Sequence, residues 1–234
     1  AKGYSQAFAH QFLLPLGSAL WSANQLDLQN FPARFFADFF QRHRFLNLVD
    51  KIKWQVVEGG SRSYVEPLTR SYRHRVRLNS PVAWIRRHPD GVEVKPVRGE
   101  AERFPRVVIA THSDQALGLL KDPSEAEREV LGAFPYQPNS TVLHTDDSLL
   151  PRRRAAWASW NYYLPPHPQE RATLTYHMNR LQSLAAPVEF CVTLNRDRDI
   201  NQTKIIKKIT YHHPVYRLEA PLAQKRWREI NGVN

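Results

Sequence analysis

The side chains able to do chemistry in this 234-residue sequence are plentiful but poorly assembled. Of ten histidines only His212 and His213 are neighbours, and adjacent positions do not converge on one ion as an i, i+4 pair on a helix does. No acidic ligand stands at a matching offset, so no metal site is expected. Asp146-Asp147 is adjacent as well, and on an extended chain the two carboxylates point to opposite sides, a poor acid–base pair. No G-x-S-x-G elbow, P-loop or G-x-G-x-x-G occurs. The single Cys191 sits in the apolar run Phe190-Cys191-Val192 and reads as a small buried side chain, with nothing nearby in sequence to activate it. No complete active site is legible, and the catalytic residues are unknown at this level.

Three stretches keep a functional reading. Glu58-Gly59-Gly60-Ser61 sets two glycines before a helix, where they either make a tight turn or let backbone approach a ligand. A hairpin follows, with Arg75 to Arg86 and Val92 to Val97 flanking the turn His88-Pro89-Asp90-Gly91. Pro81-Val82 lies in its first strand, and Val107-Val108-Ile109-Ala110-Thr111 comes soon after it. In Trp157-Ala158-Ser159-Trp160-Asn161-Tyr162, alternation puts Trp157, Ser159 and Asn161 on one face and Trp160 with Tyr162 on the other. Two tryptophans on a sheet are packing or, beside a polar Asn and Ser, the wall of a site for a planar cofactor or apolar substrate.

The elements that must position these stretches change style along the chain. Residues 4–16 read as a helix with Phe8, Phe12, Leu13 and Leu16 on one face. Pro32 opens a second helix carrying Phe35, Phe36, Phe39 and Phe40, a stripe that is either core or the lining of an apolar pocket. Trp54 to Val57 reads as a short strand, and Ser61 caps a helix through Leu68. The basic positions of Arg73 to Arg77 alternate like the solvent face of a strand. Arg106 to Thr111 is a continuous apolar run leading into a helix over Asp114 to Leu120 capped by Ser113, as in a strand buried on both faces of an α/β layer. Ser124-Glu125-Ala126-Glu127 is a capping box for a helix ending near Gly132. Segments 140–145, 155–163, 171–178 and 188–195 read as strands of an antiparallel sheet, with loops at Pro151, Pro165-Pro166-His167-Pro168 and Pro187. Thr203 to Lys208 and Ala220 to Ile230 read as helical. Two interleaved lobes explain this layout better than three small domains.

Hydrophobic residues make up 42%, enough for a core, and no apolar run approaches the ~18 residues of a membrane span. One cysteine excludes an intrachain disulfide and fits a reducing compartment, most simply the cytoplasm. The formal charge of +11, from 33 basic and 22 acidic residues, raises nucleic acid as a partner. The basic residues are scattered, however, and no nucleic-acid-binding signature appears, so a solvated basic surface and no nucleic-acid partner are expected.

The ordered set of phrases Pro32-Ala33-Arg34-Phe35-Phe36, Gly59-Gly60-Ser61-Arg62-Ser63-Tyr64-Val65, Val107 to Ala116, Trp157 to Tyr162, Tyr211-His212-His213-Pro214-Val215 and Arg226 to Gly232 resembles the flavin-containing amine oxidoreductases. In particular it is similar to a bacterial subgroup described as predicted FAD/NAD-binding oxidoreductases. The resemblance implies a mixed α+β and α/β chain. This would be part of a two-lobed amine-oxidase-like fold, with an interleaved FAD-lobe segment and a substrate lobe of antiparallel or mixed sheet plus helices. Residues 1–55 and 133–234 would belong to the substrate lobe, and 56–132 to the middle of the FAD lobe. Gly59, Gly60, Val82, Ala110 and Thr111 would then lie on the cofactor side, and Trp157, Trp160, Asn161 and Tyr162 on the substrate side. The implied activity is hydride transfer from an amine or C–H substrate to FAD. The family's N-terminal glycine-rich turn and C-terminal flavin segment find no counterpart, so the chain is expected to be an internal piece of the enzyme. It is expected not to retain FAD by itself and to expose a seam through which copies associate. The alternative reading is a non-catalytic module that binds an anionic or apolar ligand.

Overall fold

The computed structural model describes every residue except 1, 2, 4, 25, 26, 29, 46, 48, 50–54, 165–170, 233 and 234. It is a mixed α/β structure with two antiparallel sheets, and it divides into two compact units that interleave in sequence. One holds residues 1–56 and 136–215, the other 57–135 and 216–234. Among the described residues no helix is long and apolar enough to cross a membrane.

In the first unit the opening helix is longer than its periodicity suggests. It runs as Gln6–Phe8, a π-helical turn Ala9–Leu13, and Leu14–Trp21. Pro15 lacks the N–H that an α-helical ladder needs, and the wider π turn just before it lets the helix continue. Ser22 ends it in the left-handed conformation, φ 50°, and its carbonyl accepts from Gln137 Nε2 at 2.6 Å. The second helix, Ala33–Arg42, starts one residue after Pro32. Its aromatic stripe is core: Trp21 sits 4.6 Å from Phe31 and 5.3 Å from Phe36, which stacks at 4.4 Å on Phe40. Gly17 permits this packing, because a Cβ there would lie 3.0 Å from both Leu28 Cδ1 and Phe36 Cε2.

The sheet of this unit has the order β5-β6-β7-β4-β8, all antiparallel, with β4 Tyr136–His144, β5 Trp160–Tyr162, β6 Leu174–His177, β7 Cys191–Leu194 and β8 Ile205–Pro214. The four expected strands are present but shorter in three cases; Arg154–Ala156 is a 3-10 turn instead of the start of β5. The helix expected over Thr203 to Lys208 is a correction. Only Gln202–Lys204 turns, and from Ile205 the chain is strand, because the β-branched residues Ile205, Ile206, Ile209 and Thr210 find a continuous partner in β4. The loop at Pro165 to Pro168 and the start of the Trp54 strand lie outside the described residues.

The second unit is built on the hairpin: β1 Val82–His88, β2 Gly91–Pro96 and a short β3 Glu102–Phe104. Ile85 and Val92 of the hairpin are buried, as are Ala116 of the helix Ser113–Leu119 and Val130 of the helix Glu125–Gly132. The Ser124 capping box forms as its spacing predicts, whereas the other helix is capped by His112 instead of Ser113. Arg87 of β1 grips Glu127 through two bonds of 2.9 and 3.0 Å. Ala220–Lys225 and the turn Trp227–Glu229 also belong here, and Arg226 bonds Glu129 at 2.8 Å. Residues 216–234 thus group with 57–135.

Two stretches of this unit that read as extended, Arg73 to Arg77 and Arg106 to Thr111, form no strand. Arg73–Arg75 is a 3-10 turn, so β1 begins only at Val82. The run Val107 to Thr111 forms no strand and is not buried on two faces; Val108 is 91% exposed. Its β-branched residues favour extension, but no described strand lies alongside to take its N–H and C=O groups, and a strand is defined by that ladder. Residues 55–57 likewise form no strand.

Candidate functional site

β5 is a three-residue edge strand, and register sets each of its residues against one of β6: Trp160 against Tyr176, Asn161 against Thr175, Tyr162 against Leu174. Trp160 and Tyr162 therefore share one face of the sheet, as alternation predicts. Trp160 is 41% exposed and meets Tyr176 edge to face at 5.4 Å between ring centroids. Burial pushes the Tyr176 phenol above its ordinary pKa, so it stays protonated at neutral pH. Together these rings make a half-exposed aromatic surface. Tyr176 was not singled out from the sequence; alternation marks it as a sheet residue, but only the β5–β6 register brings it to Trp160.

The other two candidates are occupied with the chain's own backbone. Asn161 accepts from the Ala158 N–H at 3.0 Å and donates to the carbonyls of Ala158 at 2.7 Å and Thr175 at 3.3 Å. Trp157, outside β5, donates Nε1–H to the Pro151 carbonyl at 2.7 Å and packs edge-on against His177 at 5.2 Å. Arg154 covers its ring at 5.0 Å, and Arg180 donates to its carbonyl at 2.9 Å. These two side chains shape the turn into β5.

The opposite face of the sheet holds a buried polar row. His144, Cys191 and His177 lie side by side on β4, β7 and β6. The Asp146 N–H donates to His144 Nδ1 at 3.1 Å, so Nε2 carries the proton and donates to Thr193 Oγ1 at 2.8 Å. Thr193 Oγ1 lies 2.9 Å from Thr175 Oγ1. Burial holds His144 below the ordinary imidazole pKa despite the nearby Asp146 carboxylate. Burial likewise pushes the Cys191 thiol up to about 12, with Asp147, Glu189 and Asp146 adding to the shift. A neutral thiol of this kind is neither nucleophile nor ligand. His177 bonds Glu189 through Nε2 at 2.7 Å. Among the described residues no group of three or more His, Cys, Asp or Glu side chains could hold a metal ion.

The cofactor-side candidates all lie in the second unit. Gly59 and Gly60 have φ of 75° and 79°, a conformation that explains glycine at both positions without a ligand. A Cβ at Gly60 would meet nothing within 4 Å, so no cradle closes over it. Val82 opens β1 beside a bulge, and the Pro81 carbonyl accepts from the Val97 N–H at 2.8 Å. Ala110 and Thr111 end the exposed run, with the Thr111 hydroxyl on the His112 carbonyl at 3.1 Å. A dinucleotide diphosphate needs several convergent backbone N–H groups at a helix N-terminus. At the glycine pair the Gly60 N–H is already bonded to the Val57 carbonyl at 2.9 Å, so it is not available to a phosphate oxygen.

Comparison with known proteins names the family. No curated protein matches the sequence. Among solved structures, that of a CLA-producing fatty acid isomerase from P. acnes is similar, with 15% identity and a TM-score of 0.49 over 74% of this chain. The match takes in 44% of that protein, so the chain spans less than half of its length. Residues 4–163, more than half of the chain, match the family described as flavin containing amine oxidoreductase, and the chain belongs to that family.

Proposed function

We propose that the whole protein is an FAD-dependent, amine-oxidase-like oxidoreductase that moves a hydride from an amine or C–H substrate to the flavin. The observation that supports this is the family match over residues 4–163. A bound flavin supplies the redox chemistry, while protein side chains position the substrate and keep water out. On this reading residues 57–135 carry part of the FAD lobe, with Gly59, Gly60, Val82, Ala110 and Thr111 on the cofactor side. The sheet of residues 136–215 is the substrate lobe. There Trp160 and Tyr162, with Tyr176, offer an apolar wall to a small-molecule substrate, and Trp157 and Asn161 hold that wall in place. The exposed apolar residues Leu78, Val97 and Val108 are covered by other parts of the same polypeptide or, in the isolated chain, by a second copy. The protein works in the cytoplasm, without a nucleic-acid partner.

The 234 residues alone neither retain FAD nor turn over substrate on this reading, because the described residues around Gly59 and Gly60 offer a diphosphate no backbone cradle. The purified chain is expected to be colourless after gel filtration with excess FAD; stoichiometric yellow flavin would overturn this. In the whole protein, Trp160→Leu is expected to leave flavin content unchanged and to slow substrate-driven flavin reduction under anaerobic conditions. Reduction at the parental rate would remove the aromatic wall from the substrate side.

A further inference from the structure

The five-stranded sheet ends on β8, whose pairing with β4 extends from Tyr136 opposite Pro214 to Leu143 opposite Lys207 and, past a bulge, to His144 opposite Ile205. Among the described residues no strand lies on the other side of β8. At 10 residues it is long for an edge, and the unpaired N–H and C=O groups of such an edge are a template for another strand. Lysines usually blunt an edge, and Lys207 and Lys208 stand here. Ile206 and Tyr211 on the same strand are nevertheless 53% and 49% exposed. Charge and apolar surface together exclude basic partners while leaving something for an apolar side chain to cover.

Register makes the charge pattern specific. Lys207 lies opposite Leu143 and Lys208 opposite Val142, so the two ammonium groups emerge on opposite faces of the sheet. Lys204, just before β8, is already engaged by Asp146 at 3.6 Å and Asp147 at 3.9 Å, whereas Lys207 and Lys208 form no ion pair with described residues. An incoming strand with acidic residues at two successive positions would set one carboxylate beside each lysine. Antiparallel self-pairing centred on these residues would instead bring lysine against lysine, which disfavours a second copy.

We propose that the free edge of β8 is a docking surface for an extended acidic peptide segment, which adds to the sheet as a sixth strand. Main-chain hydrogen bonds would give the affinity, and Lys207 and Lys208 the choice of partner. This surface is independent of the flavin reading.

The test uses a fluorescein-labelled peptide of valines and threonines with two central glutamates, read by anisotropy against the protein. A second peptide keeps both glutamates but carries prolines that forbid a strand. The first should bind at least ~10-fold more tightly than the second, since the second retains charge attraction alone. The exposed double variant Lys207→Glu/Lys208→Glu should weaken the first peptide by a similar factor, and a lysine-for-glutamate peptide should restore binding to that variant. Equal binding of the two glutamate peptides, indifference to the charge reversal, or failure of the charge-swapped rescue would each overturn the proposal. So would a dimer in light scattering that blocks the peptide.

Discussion

Asn161 separates two roles for the aromatic strand. Replacing it with alanine removes three hydrogen bonds, two to Ala158 and one to the Thr175 carbonyl. Each is worth about 0.5–1.5 kcal/mol net, and the 3.3 Å bond belongs at the low end. The expected loss is therefore roughly 2–3 kcal/mol for a half-buried side chain. At about 2–4 °C per kcal/mol for a chain of this size, the melting midpoint should fall by roughly 4–12 °C. Asn161→Asp keeps the acceptor for the Ala158 N–H but sets a carboxylate oxygen against the Ala158 and Thr175 carbonyls, a repulsion that should make it fall at least as far. Circular dichroism melts of the parent and both variants measure this. A midpoint for Asn161→Ala within about 1 °C of the parent would show that the amide does not hold the turn. In that case Asn161 becomes a candidate for direct substrate contact.

Three further outcomes follow from the buried polar groups. Arg87→Met strands the Glu127 carboxylate, whose side chain is 10% exposed, and should cost about 3–5 kcal/mol in urea unfolding, with much of it recovered in Arg87→Met/Glu127→Leu. His144 has a depressed pKa in the fold against about 6.5 unfolded, so the unfolded state takes up the proton first. Its contribution is fully present above about 6.5 and is lost as pH falls below that value, so the urea midpoint should drop between pH 7.5 and 5 in the parent and less in His144→Gln; equal slopes would rule His144 out as the source. Cys191, buried with its thiol pushed up to about 12, should resist a thiol-specific reagent at pH 8 until denaturant is added, and prompt labelling of the native protein would contradict its placement.

The parts of the fold that were legible in the sequence are those decided within a few residues. The β1–β2 turn at Pro89-Asp90-Gly91 and the Ser124 capping box carry their own geometry, and both form as expected. The runs that misled are those whose state depends on a distant partner. Ile205 to Lys208 looks helical until β4 offers it a ladder, and Val107 to Ile109 looks like a central strand although nothing described pairs with it. The candidate site divides in the same way. Alternation was enough to put Trp160 and Tyr162 on one face, but the engagement of Asn161 and Trp157 with backbone, and the arrival of Tyr176, depend on a turn and a register that spacing alone does not encode.

The strand order 5-6-7-4-8 has a consequence for how the chain is made. Its strand β4, paired on both sides, leaves the ribosome before both of its neighbours, β7 and β8. Local hairpins among β5, β6 and β7 can close early, but β4 must wait for partners whose sequence has yet to be synthesised. During that interval both of its edges are open, and Thr141, Val142 and Leu143 are exposed on a strand-prone segment. Chaperone capture and aggregation during translation should therefore centre on residues 136–144, and a pause before β8 emerges would lengthen the vulnerable period.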